Sequence, residues 1–255
     1  MGGMTQTPPA KPPRPRFVEL SPDRVRRVWN EVGTERGEGG WAVTLDGRTP
    51  KTPAGARVVL PTEAVARMVA EEWAAQGEFL DPSTMPAQRL AATAIDRIGQ
   101  ARDAVAEEIA AYAGSDALCY LAETPTSLVE RQARQWGGWR DWAARELGVA
   151  LEPCEGIIHR AQSPEAIARV RALALELDDF GLAGLAMAAP LFGSAVLGLA
   201  LQRGAASGSD LFGVSRLDEA FQEERWGVDE EAAERTEARR AEAEMLDRWF
   251  RALEP

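Results

Sequence analysis

The stretch that decides the fold, residues 180–201, reads FGLAGLAMAAPLFGSAVLGLAL and contains no charged side chain. Its length alone would suit a transmembrane helix. Alanine and glycine dominate it, however, Pro190 lies at its centre, and Asp178 and Asp179 precede it in place of basic residues. We therefore predict two short buried helices that break at Pro190, with small residues where neighbouring backbones approach closely, and no membrane insertion.

The segments on both sides of this stretch also have the apolar spacing of helices. Apolar residues recur three and four positions apart through residues 86–122, 127–149 and 163–179. Residues 230–253 are rich in alanine and in charged side chains, which predicts a long surface helix. The chain after residue 85 is therefore predicted to form a helical C-terminal domain, residues 86–255.

The chain before residue 86 follows a different pattern. Apolar residues alternate at Trp41, Val43 and Leu45, and the turn residues Asp46-Gly47 follow them, which indicates antiparallel strands and hairpins. Thr62 then has the character of a helix cap, and the helix that it begins is predicted to run towards Gly77.

These patterns divide the chain into three parts. Residues 1–16 are rich in proline and glycine and have no apolar core, so we expect a disordered tail that is neither a signal peptide nor a membrane anchor. Residues 17–85 form a predicted β-rich domain with one helix. The predicted fold class is α+β, with a small antiparallel β-rich N-terminal domain followed by a larger all-α C-terminal domain.

Composition and motifs argue for binding rather than catalysis. The net charge of -11 makes a nucleic-acid partner unfavourable, because such partners are bound mainly through neutralised phosphates. The single histidine, His159, has no second histidine or cysteine pair with which to bind a metal. The sequence also lacks a GxSxG nucleophile motif and a phosphate-binding glycine loop. We therefore expect no cofactor, no metal and no small-molecule substrate.

One acidic stretch, LDEAFQEERWGVDEEA at residues 217–232, places two large aromatic residues among carboxylates. On a helical wheel that treats residues 211–226 as one helix, the apolar side chains form one stripe. The residues on a different side are Glu219, Gln222, Glu223 and Trp226.

Three interpretations of this stretch are open at this point. Trp226 could fold back onto the core at a helix end capped by Gly227, or it could belong, with the carboxylates, to a docking surface. Alternatively, Glu219 and Glu223 could share a proton and serve a small hydrolase as acid and base.

Six phrases, in one order along the chain, carry a resemblance to a known family. They occupy residues 39–55, 60–76, 81–97, 112–132, 192–201 and 217–232. Together they resemble the assembly chaperones of F-type ATP synthase that attend the alpha subunit, a family of mitochondria and alphaproteobacteria.

The resemblance implies a protein that is not an enzyme and that works without ATP. Such a chaperone would hold the new alpha subunit and cover the surface that later faces the beta subunit, here in a bacterial cytoplasm. It also implies a functional role for the acidic residue of the LDE phrase, Glu219. The expected partner-binding residues are Glu219, Asp218, Gln222, Glu223 and Trp226. Trp73 also matches a family position, but its helical context favours a structural role.

Overall fold

The computed structural model describes residues 25–156, 160–227 and 229–254. The predicted tail, residues 1–16, and His159 lie outside these residues.

A small antiparallel sheet opens the described chain, as the alternating pattern predicts. Strands β1 (Val32–Gly37), β2 (Gly40–Leu45) and β3 (Val59–Leu60) pair in the order β1-β2-β3. A Cβ atom on Gly40 would lie 2.3 Å from the carbonyl oxygen of Leu60, so only glycine allows β3 to approach β2 this closely. The predicted turn at Asp46-Gly47 ends β2, with both residues at positive φ.

Helix α1 (Glu63–Ala74) packs against this sheet. The Thr62 side chain accepts a hydrogen bond from the Val65 backbone at 3.1 Å, so the predicted N-cap is confirmed. Val65 and Val69 are fully buried on the face that meets the strands. The helix ends at Ala74, three residues before the predicted Gly77.

Helices make up most of the remaining described chain, which confirms the α+β class. They are α2 (Pro86–Thr93), α3 (Gly99–Gly114), α4 (Thr126–Trp142), α5 (Pro164–Leu175), α6 (Asp179–Phe192), α7 (Ala195–Gln202), α8 (Gly208–Ser215), α9 (Leu217–Trp226) and α10 (Glu230–Leu253). The region is not entirely helical, since the short strands β4 (Tyr120–Leu121) and β5 (Cys154–Glu155) pair in parallel. Strands of two residues have no periodicity that a sequence could show.

Residues 180–201 form the buried centre of the protein. Every residue of α7 from Ala195 to Leu201 is buried. In the part of the chain that the structure describes, no helix has the length and apolar character needed to span a bilayer. The predicted break at Pro190 is wrong, because α6 continues to Phe192. The helix ends instead at Gly193, which takes the left-handed conformation at φ 62° that a helix end favours, and Ser194 then caps α7.

Asp116 fixes the start of α7 from inside the protein. Its side chain is fully buried and accepts hydrogen bonds from Ser194 Oγ at 2.9 Å and from the Val196 backbone at 3.2 Å. Its other oxygen accepts from the Leu118 backbone at 3.1 Å. Burial raises the pKa of Asp116 to about 6, although these hydrogen bonds favour the ionised form.

Helix α10 joins the two parts of the chain. Only its first half is the solvated helix that its charges predict, because Leu246, Trp249 and Phe250 are buried. It packs against α6, α8 and also α1, so one continuous hydrophobic core extends from the sheet to the last helix. The domain division at residues 85 and 86 stays a prediction.

Candidate partner-binding surface on helix α9

The acidic stretch forms a separate short helix, α9, rather than the end of a longer one. The continuous helix assumed for the wheel is wrong, because α8 ends at Ser215 and the backbone of Arg216 departs from helical geometry at φ -105° and ψ 23°. The apolar stripe of α9 itself remains, since Leu217 and Phe221 are both buried. The helix ends at Gly227, whose φ of 83° suits glycine at this position.

The inner face of α9 is attached to α4 through a buried amide. Gln132, with no exposed surface, donates from Nε2 to Asp218 Oδ1 at 2.7 Å and accepts from the Ala122 backbone at 2.8 Å. Burial raises the pKa of Asp218, the Gln132 hydrogen bond lowers it, and the charge of Glu219 raises it further. Asp218, expected to bind the partner, is thus already engaged within the protein.

A second link to α4 is an ion pair with two parallel hydrogen bonds. Arg131 donates to the two carboxylate oxygens of Glu224 at 2.7 and 3.0 Å. These bonds hold the pKa of Glu224 below its usual range. The same guanidinium lies over the Phe221 ring at 5.3 Å, and that of Arg225 lies over it at 4.4 Å.

Glu223 is engaged as well. Its carboxylate accepts from Arg216 at 2.6 Å, and the two side chains are only 29% and 20% exposed. In a pair that acts as general acid and general base, the two carboxyl groups need environments that give them different pKa values. Glu223 is instead neutralised by a guanidinium and Glu219 lies in solvent, so this geometry does not favour the hydrolase interpretation.

The outer face of α9 carries the side chains that the fold does not use. Glu219, Gln222 and Trp226 are exposed and follow one another at helical spacings of three and four. Among the described residues, neither Glu219 nor Gln222 has a hydrogen-bond or ion-pair partner. Trp226 is 78% exposed, so it does not fold back onto the core. We define these three residues as the outer α9 face.

Trp73 lies in a different environment, on α1. Its indole Nε1 donates to Gln88 Oε1 at 2.8 Å, and its ring meets that of Trp29 edge to face at 5.1 Å. It is partly buried. These contacts are made within the fold, and the structural role expected of Trp73 stays a prediction.

Sequence reasoning missed Gln132 and Arg131, which position α9. A signal for Gln132 was present, because Leu128, Gln132 and Trp136 follow at spacings of four along α4 and all three are buried. A polar residue on an otherwise apolar stripe requires a hydrogen-bond partner inside the protein.

Comparisons with known proteins agree with the resemblance. The profile of the ATP12 chaperone protein family matches residues 26–144. Protein atp12, mitochondrial, from Schizosaccharomyces pombe is 27% identical over 222 residues, which are 82% of this chain and 76% of that protein.

Solved structures extend the likeness over nearly the whole chain. Atp12 from Paracoccus denitrificans is 42% identical, with a TM-score of 0.84 over 89% of this chain and 98% of that one. A chain from Agrobacterium tumefaciens is 37% identical, with a TM-score of 0.85 over 90% of this chain and 86% of that one. At this identity and coverage, the chain belongs to the ATP12 chaperone family, the ATP synthase assembly chaperones that its sequence resembles.

Proposed function

We propose that this chaperone binds the alpha subunit of ATP synthase and releases it when the beta subunit takes its place. The outer α9 face is the proposed contact, and Glu219 supplies its carboxylate. Protein that waits for its assembly partner exposes apolar surface that aggregates, and a chaperone that covers this surface keeps it soluble.

The observation that carries this proposal is the exposure of Trp226 on the same helix face as the unpaired carboxylate of Glu219. A tryptophan in water gains nothing for the fold, whereas aromatic residues are common anchors of protein interfaces. Glu219 lies two helical turns before Trp226 on the same face, and its carboxylate is free to meet a basic group of a partner.

The inner face of α9 supports the same proposal. Its hydrogen bonds and ion pairs to Gln132, Arg131 and Arg216 hold the helix in one position before any partner arrives. A surface that is already ordered loses less conformational entropy on binding. Asp218 and Glu223 then contribute to binding by holding Glu219 and Trp226 in place.

The proposal also states that the protein needs no ATP, is not an enzyme and acts in the cytoplasm. The protein works as a binder without ATP, as the resemblance to the assembly chaperones implies. It acts in a bacterial cytoplasm and catalyses no reaction of its own.

The experiment measures affinity for purified alpha subunit at two salt concentrations, together with thermal unfolding of each variant. Glu219→Ala is expected to change the free energy of unfolding by less than about 0.5 kcal/mol. It should weaken binding by about 2 to 5 kcal/mol if the new ion pair is desolvated, and by little if the pair is exposed. An exposed pair is screened within about 8 Å at physiological ionic strength, so the affinities of protein and variant would then converge in high salt.

Two further variants make the experiment specific. Trp226→Ala removes the aromatic residue of the same face and should also weaken binding with an unchanged melting temperature. Glu108→Ala is the matched control, because Glu108 is an exposed glutamate on helix α3. If Glu219→Ala and Trp226→Ala both bound the alpha subunit as tightly as Glu108→Ala, α9 would not be the contact. If the unaltered protein did not bind the alpha subunit, the proposed partner would be wrong.

A further inference from the structure

A groove of about 490 Å³ lies between α1, α2 and the loop that carries Pro53, and the outer α9 face takes no part in it. Its apolar lining includes Trp73, Leu80 and Met85. Met85 is almost fully buried, whereas Trp73 and Leu80 are only partly buried. A concave apolar surface of this size suits a few side chains of a bound ligand.

The tryptophan of the groove is held in place by contacts within the fold. Its Nε1 donates to Gln88 Oε1 at 2.8 Å, and its ring meets that of Trp29 edge to face at 5.1 Å. An indole N–H can only donate, so the amide oxygen of Gln88 is used by Trp73 and its NH2 group is left. The described residues offer this NH2 group no acceptor, and Gln88 also lines the groove. A fixed aromatic surface beside a free amide donor suits a peptide, which has both apolar side chains and backbone carbonyl groups.

Positive charge surrounds the groove. Lys51, Arg89 and Arg97 line it and are exposed, and the described part of the chain offers none of them an ion-pair partner within 4.0 Å. Asp96 also lines it, but its oxygens already accept hydrogen bonds from Thr52 Oγ1 at 2.6 Å and from a backbone N–H of the adjoining loop at 3.1 Å. In a protein with a net charge of -11, a local excess of cations favours a ligand that carries carboxylates.

The composition of the groove is that of a protein interface. Tryptophan, methionine and arginine are enriched where proteins bind one another, and all three line this groove. An apolar centre within a polar rim is also the usual arrangement of such interfaces. The chemistry of the groove therefore favours a segment of a protein over a small molecule.

We propose that the groove binds an extended segment of a partner protein in which apolar side chains alternate with carboxylates. The apolar side chains pack against Trp73 and Met85. The carboxylates meet Lys51 and Arg97, and the Gln88 amide donates to a backbone carbonyl group of the segment. The groove gives the protein a second binding surface, separate from the outer α9 face, that selects its ligand by charge.

The test is fluorescence anisotropy with the intact protein and three short fluorescein-labelled peptides. In the first peptide, leucine and phenylalanine alternate with glutamate. The second has lysine in place of each glutamate, and the third has serine in place of each leucine and phenylalanine. The first should bind at least about tenfold more tightly than the other two, because only it matches both the rim and the apolar lining. Equal binding of the first two peptides would overturn the proposal, as would no binding of the first, the result expected if the protein's own chain fills the groove.

Reversal of the rim charges tests selection by charge. Lys51→Glu combined with Arg97→Glu should weaken binding of the glutamate peptide about tenfold, because attraction becomes repulsion at two exposed sites, and should make the lysine peptide the tighter ligand. Arg89 is left unchanged, because its charge also acts on Glu72 within the fold.

The matched control is Arg36→Glu combined with Arg134→Glu. Both arginines are exposed, neither lines the groove, and neither has an ion-pair or side-chain hydrogen-bond partner among the described residues. This variant makes the same change of net charge and should keep the preference for the glutamate peptide. An equal loss of affinity in both double variants would show that net charge, and not the rim, governs binding. Thermal unfolding of both double variants should match that of the unaltered protein.

Crosslinking locates the bound peptide. Benzoylphenylalanine in place of the phenylalanine of the glutamate peptide should crosslink to fragments that contain residues 51–53 or 73–97. Crosslinks confined to other parts of the chain would overturn the proposal. A dimer of the protein that the glutamate peptide dissociates would also overturn it, by assigning the groove to a second copy. None of these measurements involves the alpha subunit, so their failure is separate from that of the proposed function.

Discussion

Substitution of Asp116 tests whether the start of α7 is fixed by one buried carboxylate. Asp116→Ala would leave three buried donors, Ser194 Oγ and the backbone N–H groups of Leu118 and Val196, without their acceptor. Each unsatisfied donor costs about 1 to 3 kcal/mol, and partial rehydration reduces the sum, so we expect a loss of about 3 to 5 kcal/mol. Small proteins have about 5 to 15 kcal/mol of stability, so this variant should be close to unfolding.

Asp116→Asn separates the charge from the shape. The amide keeps one acceptor oxygen, but its NH2 group faces donors, so we expect a smaller loss of about 1 to 3 kcal/mol. This variant also removes the titration, because an amide side chain has no ionisable group in this pH range.

The pH dependence gives the sign of the effect. The pKa of Asp116 is raised from 3.8 to about 6 in the folded protein, so between these values the folded state binds more protons than the unfolded state. Stability from this group is therefore present at low pH and is lost as pH rises through about 6. Between pH 4.5 and pH 7.5 the change amounts to about 2 kcal/mol.

The assay is urea unfolding of the protein and of Asp116→Asn at a series of pH values. Other carboxylates have lowered pKa values, such as Asp46 and Glu224, and their protonation in acid destabilises both proteins. This contribution is the same in both, so it cancels when the free energy of unfolding of the variant is subtracted from that of the protein. The difference in free energy of unfolding, protein minus variant, should be about 2 kcal/mol larger at pH 4.5 than at pH 7.5. Parallel pH profiles would refute the reasoning, because they would show that Asp116 titrates alike in both states.

Three other variants or reagents test the packing. Trp73→Arg should abolish soluble protein, because it breaks the contact with Trp29 and places a cation on a half-buried helix face. The control Trp226→Arg should leave the melting temperature unchanged, because Trp226 is exposed, and normal melting of the Trp73 variant would contradict the structural role of Trp73. Gln132→Leu should cost about 2 kcal/mol in urea unfolding, because Asp218 and the Ala122 N–H lose their partner, and an unchanged stability would show that water replaces it. Burial, together with the Asp116 charge, raises the pKa of Cys119 to about 12, so a thiol reagent at pH 8 should label Cys119 only after unfolding. The less buried Cys154 should be labelled quickly, and equal labelling rates of the two cysteines in the folded protein would contradict this prediction.

The features that the sequence predicts well are those that depend on neighbouring residues. Alternation at Trp41, Val43 and Leu45 identifies strand β2, and the Thr62 hydroxyl marks the first residue of α1 because capping involves only the next few backbone groups. The absence of charge in residues 180–201 likewise identifies buried helices, since their composition excludes an exposed face.

The features that the sequence does not predict depend on distant residues. Pro190 lies in the last turn of α6, and the helix continues past it to end at Gly193. The position of the proline, which usually ends a helix, therefore does not give the helix end here. Trp249 is buried because it packs against α6, where Gly184 leaves room for its ring. The sequence of α10 alone does not show this contact. Asp116 resembles a surface loop residue until Ser194 and Val196 are brought to it from almost eighty positions away.

Helix α9 shows why a candidate site of this kind needs a structure. From the sequence its carboxylates are equivalent, but Asp218, Glu223 and Glu224 bond Gln132, Arg216 and Arg131, respectively. Removal of any of these three breaks a bond that holds the helix in place, so an effect on partner binding could be indirect. Glu219 alone can be removed without loss of a hydrogen bond or ion pair that the described structure contains. A change in affinity without a change in melting temperature is therefore expected for Glu219 and not for its three neighbours, and this difference distinguishes a docking carboxylate from a structural one.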